Sequence, residues 1–131
     1  MRIAWLLFLA LAQDGKVEPT KDSLDVIKSA VEKKEAVLLD VREESEWKEG
    51  HLKLATFLAL SWLRKESEKE SFAEAVGAKI PKGKIVYTHC RAGVRSMTAA
   101  GLLKKLGYDV RPLRQSYDTL KKGGFEETTD P

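Results

Sequence analysis

Short apolar runs alternate along this chain with segments whose apolar residues recur at helical spacing, and that alternation leaves few folds open. Ala36-Val37-Leu38-Leu39-Asp40-Val41 and Ile85-Val86-Tyr87-Thr88-His89 are continuous enough to be strands buried on both faces. Leu24, Ile27, Ala30 and Val31 mark a helix over residues 21–34, with Thr20 as its N-cap and Asp22 in its positive first turn. A polar stretch over 43–49, closed by Gly50, favours helix, whereas 55–60 reads equally as a strand or as the start of the next helix. The charged run 64–72 belongs to a solvated helix that buries Phe72, Ala75 and Val76, with Ser71 and Glu74 placed as a capping box. Pro81 and Gly83 make a turn. Val94, Met97, Leu102, Leu103 and Leu106 share one face of a helix over 94–106 that Gly107 stops. A last strand over 109–113 and a short helix over 116–122, ended by Gly123-Gly124, complete the pattern. The alternation predicts an α/β domain, a parallel sheet with helices on both faces. Ligands of such sheets bind beyond the carboxyl ends of the strands, where Asp40-Val41-Arg42 and Cys90 both fall.

Composition narrows the chemistry. At 131 residues, 43% hydrophobic and 33% charged, the chain is one folded domain rather than a repeat array or a disordered tail. A net charge of +3, evenly mixed, is too mild to argue for nucleic acid. One cysteine rules out an internal disulfide framework and any CxxC zinc site. The basic start Met1-Arg2, the apolar run Ile3 to Ala12 and the polar junction at Gln13 form the pattern of a cleaved secretory signal. A first buried strand or a membrane-tethering stub is the alternative, since about twenty apolar residues are needed to span a bilayer. The expected organisation is a signal peptide over 1–12, a polar leader over 13–19, a domain over 20–125 and a tail over 126–131. The mature protein is expected to be periplasmic or secreted and to have no stable membrane insertion. Export makes a lone thiol worth explaining, because secreted proteins tend to pair theirs.

The explanation lies in His89-Cys90-Arg91-Ala92-Gly93-Val94-Arg95-Ser96. A cysteine between a strand end and a helix start sits among backbone N–H groups at the positive end of a helix dipole, a field that favours thiolate over thiol. Arg91 and Arg95 add positive charge and can grip an oxyanion with two prongs. Gly93 permits the torsions of a tight anion-cradling loop. A buried, inert thiol is the bland alternative, but it has no use for two flanking cations. His89, one residue earlier on an extended strand, points to the opposite face and packs in the core. A metal site from His51, His89 and Cys90 lacks recognisable ligand spacing, so no metal is expected.

Phosphotyrosine phosphatases place five residues between the loop cysteine and its arginine. Here Arg91 to Val94 make four, and the narrower cup suits a single sulfur atom better than a tetrahedral phosphate. The layout C-x-x-G-x-R-S resembles the active-site loop of the rhodanese (thiosulfate:cyanide sulfurtransferase) family. Leu38-Leu39-Asp40-Val41-Arg42-Glu43, then Glu46-Trp47 and Gly50-His51, resembles that family's D-V-R-x-x-x-E-[FYW]-x-x-G-H element. The sequence departs from the family where Leu52-Lys53-Leu54-Ala55 replaces the usual Ile-Pro-Gly-Ala, and where Arg114-Gln115-Ser116 and Tyr117 to Leu120 replace a Gly-Gly and a helical tryptophan.

The resemblance implies a single rhodanese-like domain in which Cys90 carries sulfane sulfur as a persulfide, taken from an anionic donor such as thiosulfate and passed to cyanide or a thiol, a protein thiol included. Arg91 and Arg95 would bind the donor, with Arg95 alternatively bracing the loop. Ala92, Gly93, Val94 and Ser96 would complete the cup. Asp40, Arg42, Glu46 and His51 would support it from behind, Asp40 accepting backbone N–H bonds and Arg42 pairing with Glu46 or Glu43. No cofactor is implied. Two other readings stay open: a rhodanese-like binding module with an idle cysteine, motivated by the altered rim, and a small cysteine phosphatase or arsenate reductase.

Overall fold

The computed structural model describes residues 16–131; the leader expected over 1–12 and the start of the polar segment after it lie outside the described residues. The order is α1 (Leu24–Glu32), β1 (Ala36–Asp40), α2 (Glu44–Glu49), β2 (His51–Leu52), β3 (Ala55–Phe57), α3 (Leu60–Glu66), α4 (Phe72–Gly77), β4 (Ile85–His89), α5 (Val94–Lys104), β5 (Asp109–Pro112), α6 (Tyr117–Lys122) and β6 (Glu127–Thr128). Strands β3-β1-β4-β5 form a parallel sheet in that order, as the alternation predicts. A two-residue antiparallel pair, β2 with β6, is a separate small sheet, and it lies partly in the segment read as a tail.

Period-two alternation along the central strands splits the interior into two cores. Leu39 and Val41 of the β1 segment and Val86 of β4 face Leu63, Phe72, Val76 and Leu103. Leu38 and Tyr87, one residue out of phase, face Ile27, Val31, Leu113, Leu120 and Phe125. Helices therefore cover both faces of the sheet. Each buried aliphatic side chain contributes about 1.5–3 kcal/mol of transfer free energy.

Three elements differ from expectation. The first helix begins at Leu24 and is capped by Ser23, whose Oγ accepts the Val26 N–H at 3.2 Å. Residues 20–22 are instead drawn into tertiary contacts: Thr20 N–H donates to the Pro112 carbonyl at 2.7 Å, and the Asp22 carboxylate accepts from Tyr87 and Arg111. The charged run does not make one helix. It turns between α3 and α4, with Lys69 paired to Glu66, Ala75 only half-buried and no side-chain cap from Ser71. On α5 the buried stripe is Ser96, Ala99, Ala100 and Leu103, while Val94 is 74% exposed, Met97 and Leu102 are half-buried, and Leu106, also half-buried, lies past the end of the helix. Small side chains bring this helix close against the sheet, so of the expected stripe only Leu103 lies fully on its inner face.

Register positions the site. Asp40 lies opposite His89, so β1 and β4 end level, and the Val41 N–H continues the ladder by donating to the His89 carbonyl at 3.0 Å. The chain leaving β1 and the chain leaving β4 thus emerge side by side.

Candidate active site

The loop from Cys90 to Gly93 joins β4 to α5. Gly93, at the N-cap of α5, has φ +95°, and a Cβ there would lie 2.8 Å from the Arg114 carbonyl oxygen. Only glycine fits both the left-handed backbone and that close approach. The resulting turn aims the Gly93 N–H at Cys90 Sγ (3.1 Å), and the Ser96 N–H in the first turn of α5 reaches the same sulfur at 3.4 Å. Two N–H donors at a helix amino end stabilise an anion at that point without rearrangement.

The loop is pinned from below. Ser96 Oγ lies 2.9 Å from the carbonyls of both Gly93 and Leu113, Thr88 Oγ1 donates to the Ser96 carbonyl, and Tyr117 N–H donates to the Arg91 carbonyl at 3.0 Å. Cys90 is 1% exposed beneath its own loop, whereas Arg91, Ala92 and Val94 face outward.

Both loop arginines converge on one carboxylate. Arg95 grips Glu46 with two prongs, Nη1 to Oε1 at 2.6 Å and Nη2 to Oε2 at 3.0 Å, and Arg91 Nε donates to Oε2 at 3.3 Å. Glu46 is itself fixed by a capping box at the start of α2, its Oε1 accepting the Glu43 N–H at 3.0 Å. The hydrogen bonds from Arg95, seconded by Glu43 N–H and Arg91, hold the Glu46 carboxyl down at about 2 against the opposing effect of burial.

Arg42 does not pair with Glu46 or Glu43, as the sequence reading had it. Its guanidinium is taken by Asp40, Nε to Oδ1 at 2.9 Å and Nη2 to Oδ2 at 2.8 Å, and Nη2 also donates to the Gly50 carbonyl at 2.8 Å. Asp40 Oδ1 accepts the Arg42 N–H as well, so a local turn at the end of β1 brings the two side chains together. The Tyr117 ring covers Arg42 at 4.1 Å. His89 is buried nearby with neither ring nitrogen hydrogen-bonded, its Nε2 3.9 Å from Asp40 Oδ2. Burial pushes its pKa down to about 4, so it is neutral in the fold.

His51 belongs elsewhere. Its Nδ1 bonds the Trp47 carbonyl at 2.8 Å and its ring stacks on Trp47 with centroids 3.5 Å apart. With Phe57 and residues 129–131 these rings line an apolar cavity of about 320 Å³ that touches no residue of the cysteine loop. Trp47 is half-buried and forms a wall of that cavity. Beside the loop lies a polar cleft of about 170 Å³ lined by Arg42, Glu46, Arg91, Tyr117, Lys121 and Glu127 among others. Tyr117 and Lys121 are additional to the expected site residues; the replaced segment Tyr117 to Leu120 is the one sequence signal for Tyr117, and none points to Lys121. Among the described residues, no cluster of three or more His, Cys, Asp or Glu side chains is placed to hold a metal ion.

Comparison with known proteins agrees with this geometry. A Schizosaccharomyces pombe protein, provisionally named a mitochondrial thiosulfate sulfurtransferase, is 36% identical over 78 residues, which cover 57% of this chain and 55% of that protein. The chain thus matches about half the length of that curated relative. A human single-domain sulfurtransferase superposes with a TM-score of 0.65 at 27% identity, over 80% of this chain and 96% of the human one. A rhodanese-related protein from Thermoplasma volcanium shares the fold, with a TM-score of 0.63 at 20% identity over 82% of this chain and 95% of its own. Residues 23–122 match the model of the rhodanese-like domain, a span holding both the strand-end aspartate and the cysteine loop, and the chain accordingly belongs to that family.

Proposed function

We propose that the protein is a sulfurtransferase in which Cys90 carries sulfane sulfur between an anionic donor and a thiophilic acceptor. The observation that carries this reading is the pair of N–H groups, from Gly93 and Ser96, directed at a sulfur on the amino end of α5. They stabilise negative charge on the thiolate and again on the persulfide that replaces it. The Cys90 thiolate attacks the outer sulfur of thiosulfate, an S–S bond forms, and sulfite leaves with the electron pair of the bond that breaks. Cyanide or a thiolate then attacks the outer sulfur of the Cys90 persulfide, and the Cys90 thiolate is the leaving group. A chain with one cysteine cannot discharge its persulfide as an internal disulfide, so turnover requires an external acceptor. Arg91, with Nε on Glu46 and its side chain 56% exposed, keeps its terminal nitrogens for the donor, while Arg95 braces the loop.

Incubation of the reduced protein with thiosulfate should add the mass of one sulfur atom, absent from Cys90→Ser. No adduct on a thiol shown to be reduced and alkylatable would sink the reading.

A partner-binding module with an idle cysteine is the second reading, favoured by the 1% exposure of Cys90 beneath a loop that presents Val94. Under it, Cys90→Ser would leave partner binding and any cellular phenotype unchanged. We also propose export, resting on the leader at residues 1–12. Amino-terminal sequencing of material recovered outside the cytoplasm should begin near Gln13; an intact Met1 start there would overturn cleavage, and recovery of the protein only inside the cytoplasm would overturn export.

A further inference from the structure

His51 is only 4% exposed, yet just one of its ring nitrogens is engaged. Nδ1 lies 2.8 Å from the Trp47 carbonyl, and because a carbonyl only accepts, Nδ1 carries the proton. Nε2 of the neutral ring is then a bare acceptor, with no partner among the described residues. Unlike the sealed ring nitrogens of His89, it keeps contact with open space. That space is the apolar cavity of about 320 Å³ that His51 lines with Trp47, Phe57 and residues 129–131. Trp47 covers one face of the imidazole at 3.5 Å and 5°, so a molecule in the cavity meets the ring at its edge, where the lone pair is. The far wall is set by register: β2 pairs His51 with Thr128 of β6, which carries residues 129–131 across the opening.

We propose that this cavity binds a small neutral aromatic molecule carrying one O–H or N–H donor, of the phenol or indole kind, with that donor on His51 Nε2. Its volume falls at the small end of the range for ligand sites, and its walls are apolar and aromatic with a single convergent polar atom. An unpaired acceptor in such a place rewards a donor and penalises a second acceptor. The charges at the rim exclude anions as well. Glu44 and Asp130 outnumber Lys48, whose ammonium group is already 3.4 Å from Glu44. The site asks nothing of Cys90 and touches no residue of its loop, so it stands whether or not the loop transfers sulfur.

The test is a nuclear magnetic resonance titration of the full chain, labelled with ¹⁵N, against p-cresol, toluene and 4-methylbenzoate. p-Cresol should bind about tenfold more tightly than toluene, although toluene is the more apolar of the two, and 4-methylbenzoate should bind most weakly. The ¹⁵N signal of His51 Nε2 should move upfield as its lone pair accepts the p-cresol hydroxyl, and should stay in place with toluene. His51→Phe keeps a flat ring against Trp47 and removes the acceptor, so its affinity for p-cresol should fall to that for toluene or below. Cys90→Ser should bind p-cresol within about twofold of wild type. If His51→Phe does not fold, the Nε2 signal of the wild-type chain decides alone. The proposal is overturned by p-cresol binding no more tightly than toluene, by an Nε2 signal that stays put as p-cresol binds, by 4-methylbenzoate binding tightest, or by no binding up to the solubility of the probes.

Discussion

Asp40–Arg42 and Glu46–Arg95 are each a guanidinium gripping a carboxylate with two prongs, the first through Nε and Nη2 and the second through Nη1 and Nη2, yet they sit in different surroundings. The first pair is shut away, with side-chain exposures of 0% and 1%, and is finished by the Gly50 carbonyl and the Tyr117 ring. The second keeps 20% and 32% of its surface and shares its carboxylate with a more exposed Arg91. Burial changes what an ion pair is for. A desolvated pair is a commitment, because removing either partner strands a charge where water cannot reach it. A pair that keeps some contact with water costs less to break, because the partner left behind can be solvated. Here the committed pair closes the end of β1 and the half-buried pair holds the first turn of α5 to α2.

Breaking the buried pair is the harshest test of this contrast. Asp40→Ala should lower stability by about 3–5 kcal/mol, measured as a fall in the urea midpoint at unchanged slope. A loss under about 1 kcal/mol would mean that water reaches Arg42 after all. Acid probes the same region through His89. Its folded pKa of about 4 lies below the ordinary value near 6.5, so the unfolded chain takes up the proton first. Stability should be full above about pH 6.5 and decline toward pH 4 by about 3 kcal/mol, and His89→Phe should flatten the curve in that window. Glu46, held down at about 2, acts in a separate and lower window, withdrawing its contribution only as pH falls from the ordinary carboxylate range toward 2.

Gly93→Ala comes next, at about 1–3 kcal/mol for an L-residue forced to positive φ against the Arg114 carbonyl. Its loss of sulfur loading should exceed what that destabilisation explains, because the Gly93 N–H would turn away from the sulfur. Smallest is Glu46→Gln, expected to change stability by about 1 kcal/mol or less. A loss as large as that of Asp40→Ala would erase the distinction between the two pairs.

The strands carrying the site were legible because each is a continuous apolar run ended by a chemically distinctive residue. Ile85–His89 forms as read, and β1 stops at Asp40, one residue short of the predicted run. Strands of two residues, like His51–Leu52 and Glu127–Thr128, have no periodicity to read. The inner face of α5 was read correctly only at Leu103, because hydrophobicity singles out large residues, whereas close helix-to-sheet packing there also uses serine and alanine. Around the sulfur, the loop and its glycine followed from local backbone chemistry. The partner choices did not, since Glu46 and Arg95 lie 49 residues apart and only the level ends of β1 and β4 bring them together.

The carboxyl-terminal strand bears on how this domain can be cut. Glu127 Oε2 accepts the Tyr117 hydroxyl at 2.6 Å, and Tyr117 in turn lids Arg42 and tethers the Arg91 carbonyl through its amide. A clone trimmed at the end of α6, where the helical pattern stops, would discard that anchor and loosen the mouth of the reaction centre from outside. Proteolytic nicking near residue 126 should therefore silence the protein well before it unfolds it.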